Sequence, residues 1–373
     1  MPWSGANLKA LAKEKEITLT KLSELLKVSR QTVTAWAKGK VPKGDHLIEL
    51  SKILEINPGY FFYEDENLRT ISVPMHRKRG VAKVTEITEQ DAFQLAKQYE
   101  KMFVEAPDPG LVPVFRAKRR DDDNAKVLAK KLRKLSGIEG HMPMDYKHTF
   151  YLLSLLSIVP IFRYFPSSVK AYAFYCRIDR HRVVFVDNNT NVLDLIFPLL
   201  HETIHAIRDE EENAIDDPTE EEFCDLVANY IQFPSDYVQS VYDTIIGRRI
   251  NIQINRLKEF AKKNSHSLFG IAKELKKLNP TSDFNVGGAN TNLKKEFHTI
   301  GKILFDVEDV REHITRLKAL SPLFVDILRN QIDNASPRKT AEWLGLESML
   351  DGKQVIDELK RISYSENLYL KTA

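Results

Sequence analysis

The sequence predicts a mainly α-helical chain with a smaller α+β region at its centre, and three observations carry that reading. Residues 7–62 break into short Leu-rich segments with Thr18, Ser29 and Asp45 at helix-capping positions and Gly39 and Pro42 at a stop. Between residues 159 and 187 lie three runs rich in Val, Ile, Phe and Tyr, separated by turn residues. Beyond Pro234 apolar residues recur at helical spacing through most of the remaining chain.

Composition sets the bounds. A chain of 373 residues with 43% apolar side chains can bury the cores of two or three domains. Its net charge is only +3, but the charge is unevenly spread. Residues 1–62 hold ten Lys and Arg against six acids, whereas Asp209 to Asp225 holds ten acids and no base. A basic end suits nucleic acid and an acidic middle suits a cation, with much of the acidic run a solvated loop. Two cysteines, Cys176 and Cys224, make no disulfide framework and point to a reducing cytoplasm. No signal peptide is expected at the start. The longest apolar stretch, residues 150–162, is too short to span a membrane.

In the first region, helices are expected over 7–15, from Thr18 to Leu26, over 30–37, and from Asp45 to Leu54, with Lys27-Val28 as the turn between the second and third. Leu22, Leu25, Leu26, Val33 and Trp36 face inward, while Arg30, Gln31, Thr32 and Thr34 face out. A helix, a tight turn and a capped helix with a polar start form a helix-turn-helix, and Arg and Gln pair bidentately with guanine and adenine edges. The stretch from Leu8 to Phe62 resembles the XRE (lambda-repressor-like) family of DNA-binding domains along its whole length. The resemblance implies that Arg30, Gln31 and Thr32 read bases, that Thr34, Lys38 and Lys40 lie nearer phosphates, and that a homodimer binds two half-sites of a double-stranded operator. Leu19 and Lys27 depart from the family's usual Gln and Gly.

Residues 66–124 read as a linker and helical connector, with a basic patch at His76–Gly80, a helix over 89–103 and a proline loop around 107–113. Asp121 to Asn124 caps a helix running to Leu135. Strands are expected over 159–165, 171–177 and 182–187, with Asp179-Arg180 as a hairpin turn and Asn188 to Asn191 closing the sheet.

The chemistry is concentrated in His201-Glu202-Thr203-Ile204-His205. Two imidazoles four residues apart on a helix can bind one metal ion, and Glu202 between them can take a proton as general base. Phe197, Leu199, Leu200, Ile204 and Ile207 are placed on the opposite, packing face. A third ligand is sought in the helix 220–231, where Glu221 is preferred over Glu222 and Asp225 can hold a histidine N–H. Cys224 and Ala228 allow another helix to approach closely.

Helix, three strands, this motif, an acidic loop and a second helix closing on Pro234 are similar to the ImmA/IrrE family of metallopeptidases, over roughly residues 125–280. The matching residues are Phe197, His201, Glu202, His205, Glu221, Cys224, Asp225 and Pro234. Leu200 and Ile204 depart from the family pattern. The resemblance implies a zincin-like α+β domain holding Zn²⁺, with Mn²⁺ possible, and a repressor-type protein as substrate. A non-proteolytic ligand- or metal-sensing regulator, and a defence or toxin–antitoxin component, stay open as alternatives.

Beyond Pro234, helices are expected over 235–246, 252–263, 267–278 and 294–305, then on to Arg329, with a flexible loop at 283–292 around Gly287-Gly288. His266, His298 and His313 have no partner at ligand spacing and read as structural, residues 336–362 as a helical scaffold, and the last residues as a tail. The expected division is residues 1–65, 66–124, 125–280 and 281–373.

Overall fold

Thr18 and Ser29 each accept a hydrogen bond from the backbone N–H three residues on, Lys21 and Thr32, at 3.1 Å. These caps start α2 (Leu19–Leu25) and α3 (Arg30–Trp36), which α1 (Gly5–Glu14) and α4 (Gly44–Ile53) complete into the N-terminal unit, residues 1–70. Its core joins Leu8, Leu22, Val33, Trp36 and Leu50 with Trp3, whose indole N–H donates to the Trp36 carbonyl at 2.8 Å. Lys27 turns the chain between α2 and α3 at φ +50°, a left-handed conformation that costs a side-chain-bearing residue and favours glycine. Two details correct the sequence reading. Leu25 is exposed, and Asp45 lies in the first turn of α4 rather than at its cap, where Lys43 makes no side-chain bond.

The computed structural model describes residues 3, 5–15, 17–54, 61, 71–73, 85–109, 114–115, 119–208, 218–280, 284–307 and 309–372. The basic patch at 76–80 and the acidic run at 209–217 lie outside them.

The second unit, residues 71–373, is built on a mixed four-stranded sheet. Its strands are β1 (Ile71–Ser72), β2 (Ile158–Arg163), β3 (Ala173–Ile178) and β4 (His181–Asp187), in the order β1-β3-β4-β2. β3 and β4 form the expected antiparallel hairpin, with Asp179 left-handed in its turn (φ +54°), and β2 runs parallel to β4. The central β4 is buried along its whole length, as a strand covered on both faces must be. β1 is not expected from the sequence: two residues pairing at the end of β3 carry no periodicity to read.

Helices cover the sheet from both sides of the sequence. The 89–103 helix is split into α5 (Glu86–Lys97) and α6 (Glu100–Val104). α7 (Asp122–Ser136) begins at the Asp121 cap and ends on left-handed Gly137. α8 (Tyr146–Leu155) packs on β2, α9 (Ile196–Arg208) on β3 and β4, and α10 (Pro218–Gln232) on α7 and α9. Then come α11 (Ser235–Ile245), α12 (Ile250–Asn264), α13 (Leu268–Leu278), α14 (Gly287–Lys294), α15 (Ile300–Phe305), α16 (Val310–Leu320), α17 (Pro322–Gln331), α18 (Pro337–Leu344) and α19 (Met349–Thr372).

The loop expected at 283–292 is instead largely α14, because Leu293 is buried and the Asn290 amide oxygen accepts the Leu268 N–H at 2.9 Å. Tertiary packing overrides the two glycines. The expected terminal tail is likewise helical to Thr372.

The main core runs from Ile71 and Tyr99 through the sheet to Phe324, Trp343 and Leu359, so it crosses the expected boundaries at 124/125 and 280/281. Tyr99 shows this crossing at one residue. Its ring meets Phe185 at 5.4 Å and Phe324 at 6.3 Å, and its hydroxyl donates to the Trp343 carbonyl at 2.6 Å. A second core joins Phe233, just after α10, to Tyr237 of α11, Leu257 of α12, Leu268 and Leu275 of α13 and Leu293 of α14.

Buried His266 belongs to that second core. Its Nε2 accepts from the Tyr237 hydroxyl at 2.7 Å and its Nδ1 faces the Ser267 carbonyl at 3.2 Å, which suits a neutral ring with Nδ1 protonated. Burial pushes its pKa down to about 4. Above pH 6.5 the ring is neutral folded or unfolded. Between about 6.5 and 4 only the unfolded chain takes up the proton, so this group's stabilising share is lost as pH falls. We expect its loss to reach about 2 kcal/mol at pH 5. Urea unfolding at pH 7 and pH 5 checks this, and a His266→Gln variant with an undiminished slope would contradict it.

Candidate functional site

The site begins with how α9 is held. Pro198 sits in its first turn, where no intrahelical N–H bond is lost, so the helix starts at Ile196 without a kink. The segment leading in is fastened to the start of α15: Thr190 accepts from the Ile300 N–H at 2.9 Å, and Asn188 accepts from the Gly301 N–H at 2.9 Å. A Cβ at Gly301 would stand 2.9 Å from the Asn188 carbonyl oxygen, so only glycine permits this approach.

The far end of α9 is held by charge. Buried Arg208 aims its Nε at Glu220 Oε1, and its Nη2 lies 3.0 Å from Glu220 Oε2, while its guanidinium stacks 5.0 Å from the Phe223 ring. Arg120 Nε reaches the same carboxylate at 2.5 Å. Burial alone would raise the Glu220 carboxyl, but the two arginines hold it below the usual range. Neither Arg208 nor Glu220 was singled out from the sequence. An Arg seven residues after His201, on the same helix face, was the available signal.

With that register fixed, the next residue, Glu221, faces the histidines. His201 Nε2 and His205 Nε2 are 3.0 Å apart; Glu221 Oε2 is 3.4 Å from the first and Oε1 2.9 Å from the second. Glu222 is exposed and takes no part. Asp225 Oδ1 lies 3.0 Å from His201 Nδ1, and the Cys224 sulfur 3.7 Å from His205 Nδ1. Burial works against a charged imidazole at His201, yet Asp225 and Glu221 outweigh it and raise its pKa; Glu221 is correspondingly lowered by the two histidines. Burial and the nearby carboxylates push the Cys224 thiol well up, so it stays protonated.

This donor set fits a divalent ion. Ligands about 2.0–2.2 Å from Zn²⁺ in tetrahedral geometry stand about 3.3 Å from one another, close to the spacings here. Two imidazole nitrogens at 3.0 Å cannot both carry a hydrogen, and Glu221 stands within reach of both.

Glu202 lies beside this group, and one oxygen, Oε2, accepts the Tyr175 N–H of β3 at 2.8 Å. Burial raises its carboxyl pKa. His201 and Glu202 open onto a cavity of about 340 Å³ between α9, α10, α13 and the start of β3. Phe197 packs against the main core as expected, and it also lies one turn before His201, with the rings 6.2 Å apart, and lines the cavity. The spacing of four residues puts both on one side.

In the N-terminal unit, Arg30, Gln31, Lys38 and Lys40 are exposed, with the first two at the start of α3. Thr32 and Thr34 are half-buried. The Thr32 hydroxyl is 2.8 Å from Ser29 Oγ, and the Thr34 hydroxyl donates to the Arg30 carbonyl at 2.8 Å. Their hydroxyls are thus tied to α3 itself.

The helix-turn-helix family model matches residues 8–61. No curated protein and no solved structure matches the chain. The chain therefore carries the DNA-binding module of transcription regulators at its N-terminal end. Among the described residues no helix is long and apolar enough to cross a membrane.

The α9–α10 clamp makes a stability prediction. Glu220→Gln leaves a buried guanidinium without its full counter-charge and should cost about 3 kcal/mol or more. Glu222→Gln, at an exposed position of the same helix, should stay within about 0.5 kcal/mol of wild type. Equal urea midpoints for the two variants would contradict the clamp.

Proposed function

We propose that this protein is a DNA-binding transcription regulator whose second unit is a zinc-dependent peptidase that cuts a repressor-type protein at one site. The observation that carries this reading is the convergence of His201, His205 and Glu221 with Glu202 beside them at the wall of a cavity. His201, His205 and Glu221 would hold the Zn²⁺, with Mn²⁺ as the substitute. When bound, the ion supplies Lewis acidity and lowers the pKa of water.

The chain's own residues have separable roles. Asp225 Oδ1 stands 3.0 Å from His201 Nδ1, which favours the hydrogen on that nitrogen and would leave the Nε2 lone pair free for the ion. Tyr175 N–H fixes one Glu202 oxygen, so the proton taken from water and returned to the leaving amine resides on the other, Oε1. The raised carboxyl pKa brings Glu202 nearer to neutral pH, where a general base is most effective. A protein substrate is supported by the resemblance to the ImmA/IrrE family, and the helix-turn-helix suits a homodimer on an operator with two half-sites. DNA binding and two buried cysteines that form no disulfide, Cys176 and Cys224, suit a cytoplasmic location.

The second reading is a sensor: the same centre and cavity bind a metal or small ligand without hydrolysis, and the attached DNA-binding unit favours it. One pair of variants separates the two. Glu221→Ala should lose most of about one equivalent of bound zinc, measured by elemental analysis. Glu202→Gln should keep the zinc and the DNA affinity while cleavage of a partner protein falls about 10²–10⁴-fold. Regulation that is unchanged in Glu202→Gln, with no cleaved partner in wild type, decides for the sensor.

DNA reading has its own test. Arg30→Ala should cost about 1–3 kcal/mol and relax preference at one base pair, whereas Lys38→Ala should weaken binding to every sequence alike. Equal loss on operator and random DNA from Arg30→Ala would remove Arg30 from base reading.

A further inference from the structure

The cavity beside the histidines holds two groups that the proposed chemistry does not use. Asn229 and Gln232 are 4% and 3% exposed, and both line it. They lie one and two turns beyond Asp225 along the same face of α10, so the line of side chains that holds His201 continues into the cavity. Their backbone carbonyls are engaged, with the Phe233 N–H at 2.7 Å and the Met144 N–H at 3.0 Å. Their side-chain amides have no hydrogen-bond partner among the described residues. Buried Asn290 is different, since its amide oxygen accepts the Leu268 N–H, and half-buried Asn191 ties its amide to the Lys294 carbonyl and the Leu193 N–H. A primary amide that faces a cavity with no protein partner is open to a ligand, and it carries a donor and an acceptor side by side on one planar group. Those are the complements of a peptide's C=O and N–H.

The rest of the cavity narrows the ligand further. Leu193, Phe197, Pro198 and Phe269 give it an apolar wall, and a volume of about 340 Å³ is small for a ligand pocket. Asp194 at the rim is already paired with Lys294. Lys273 is exposed there and has no carboxylate partner among the described residues.

We infer that this cavity is a subsite for a polypeptide segment: one large apolar side chain fills it, Asn229 and Gln232 bond the flanking peptide groups, and Lys273 engages an adjacent acidic residue. The inference rests on the peptidase reading of the same centre and names its substrate class. It makes Asn229 and Gln232 positioning and specificity residues rather than structural ones.

The test uses the full chain, zinc-loaded and carrying Glu202→Gln so that no turnover intervenes. The probe is a fluorescein-labelled hexapeptide, Gly-Gly-Leu-Glu-Gly-Gly, monitored by anisotropy. Saturable binding is expected, weakened about tenfold when Leu is replaced by Ser. Asn229→Leu and Gln232→Leu should each weaken it about fivefold. Lys273→Glu should weaken the Glu peptide but not its Gln counterpart. The same two Leu variants should melt close to the parent temperature, because neither amide has a protein partner to lose. Asn229→Ala and Gln232→Ala serve if the larger residues disturb packing.

Absence of saturable binding overturns the inference, as does unchanged affinity in the amide variants or a lowered melting temperature with intact peptide binding. Peptide binding without cleavage by the unmodified chain sustains the subsite and sinks the peptidase reading. Cleavage of a partner protein together with unchanged peptide affinity in the variants does the reverse.

Discussion

One buried ion pair sets the geometry of everything around the histidines. Arg208 ends α9 and Glu220 begins α10, and their contact fixes how the two helices rotate against each other. The three consecutive glutamates then point about 100° apart, as helix geometry requires. Glu220 meets arginine, Glu221 meets the two imidazoles, and Glu222 meets water. A shift by a single residue would place Glu220 or Glu222 against the histidines and leave a charge buried without a partner. The cost of that misplacement, several kcal/mol for an unpaired buried ion, makes the register a discrete choice.

The same helix α10 divides its polar side chains by depth. Asp225 stands 3.0 Å from an imidazole nitrogen of His201, and Asn229 and Gln232 lie further along, on the wall of the cavity. Arg133, buried against the Ile231 carbonyl at 2.6 Å and three carbonyls of residues 139–142, fastens the end of this helix from the other side. Both ends of α10 are therefore gripped by guanidinium groups, which leaves the segment between them little freedom to follow a ligand.

Much of this was legible in the sequence because the signals were local. Caps at Thr18, Ser29 and Asp121, the strand periodicity up to Asp187, and the spacing of His201 and His205 each depend on a few neighbouring residues. What escaped reading depends on contacts across the chain. Gly287-Gly288 reads as a loop until Asn290 reaches Leu268, and Phe197 reads as a packing residue, which it is, with no sign that it also lines the cavity. Glu220 looks like one more acid in a solvated run. Its partners lie 12 and 100 residues away, a separation that no window of sequence resolves. The C-terminal helices look like a scaffold apart from the sheet, yet Phe324 and Trp343 complete the core around Tyr99.

That crossing core has a consequence for synthesis. The helix-turn-helix draws its interior from the first stretch of the chain, between Trp3 and Phe61, whereas the sheet is covered only once Phe324, Trp343 and Leu359 have been made. At ribosomal rates of about 5–20 residues per second, the interval between the two events is on the order of 15–60 seconds. Throughout it the nascent chain holds a complete helix-turn-helix, and from the moment β2 and β4 are made they wait for the residues that complete their cover. The two units of one polypeptide are thus completed at different times, and the later one spends longer with apolar surface uncovered.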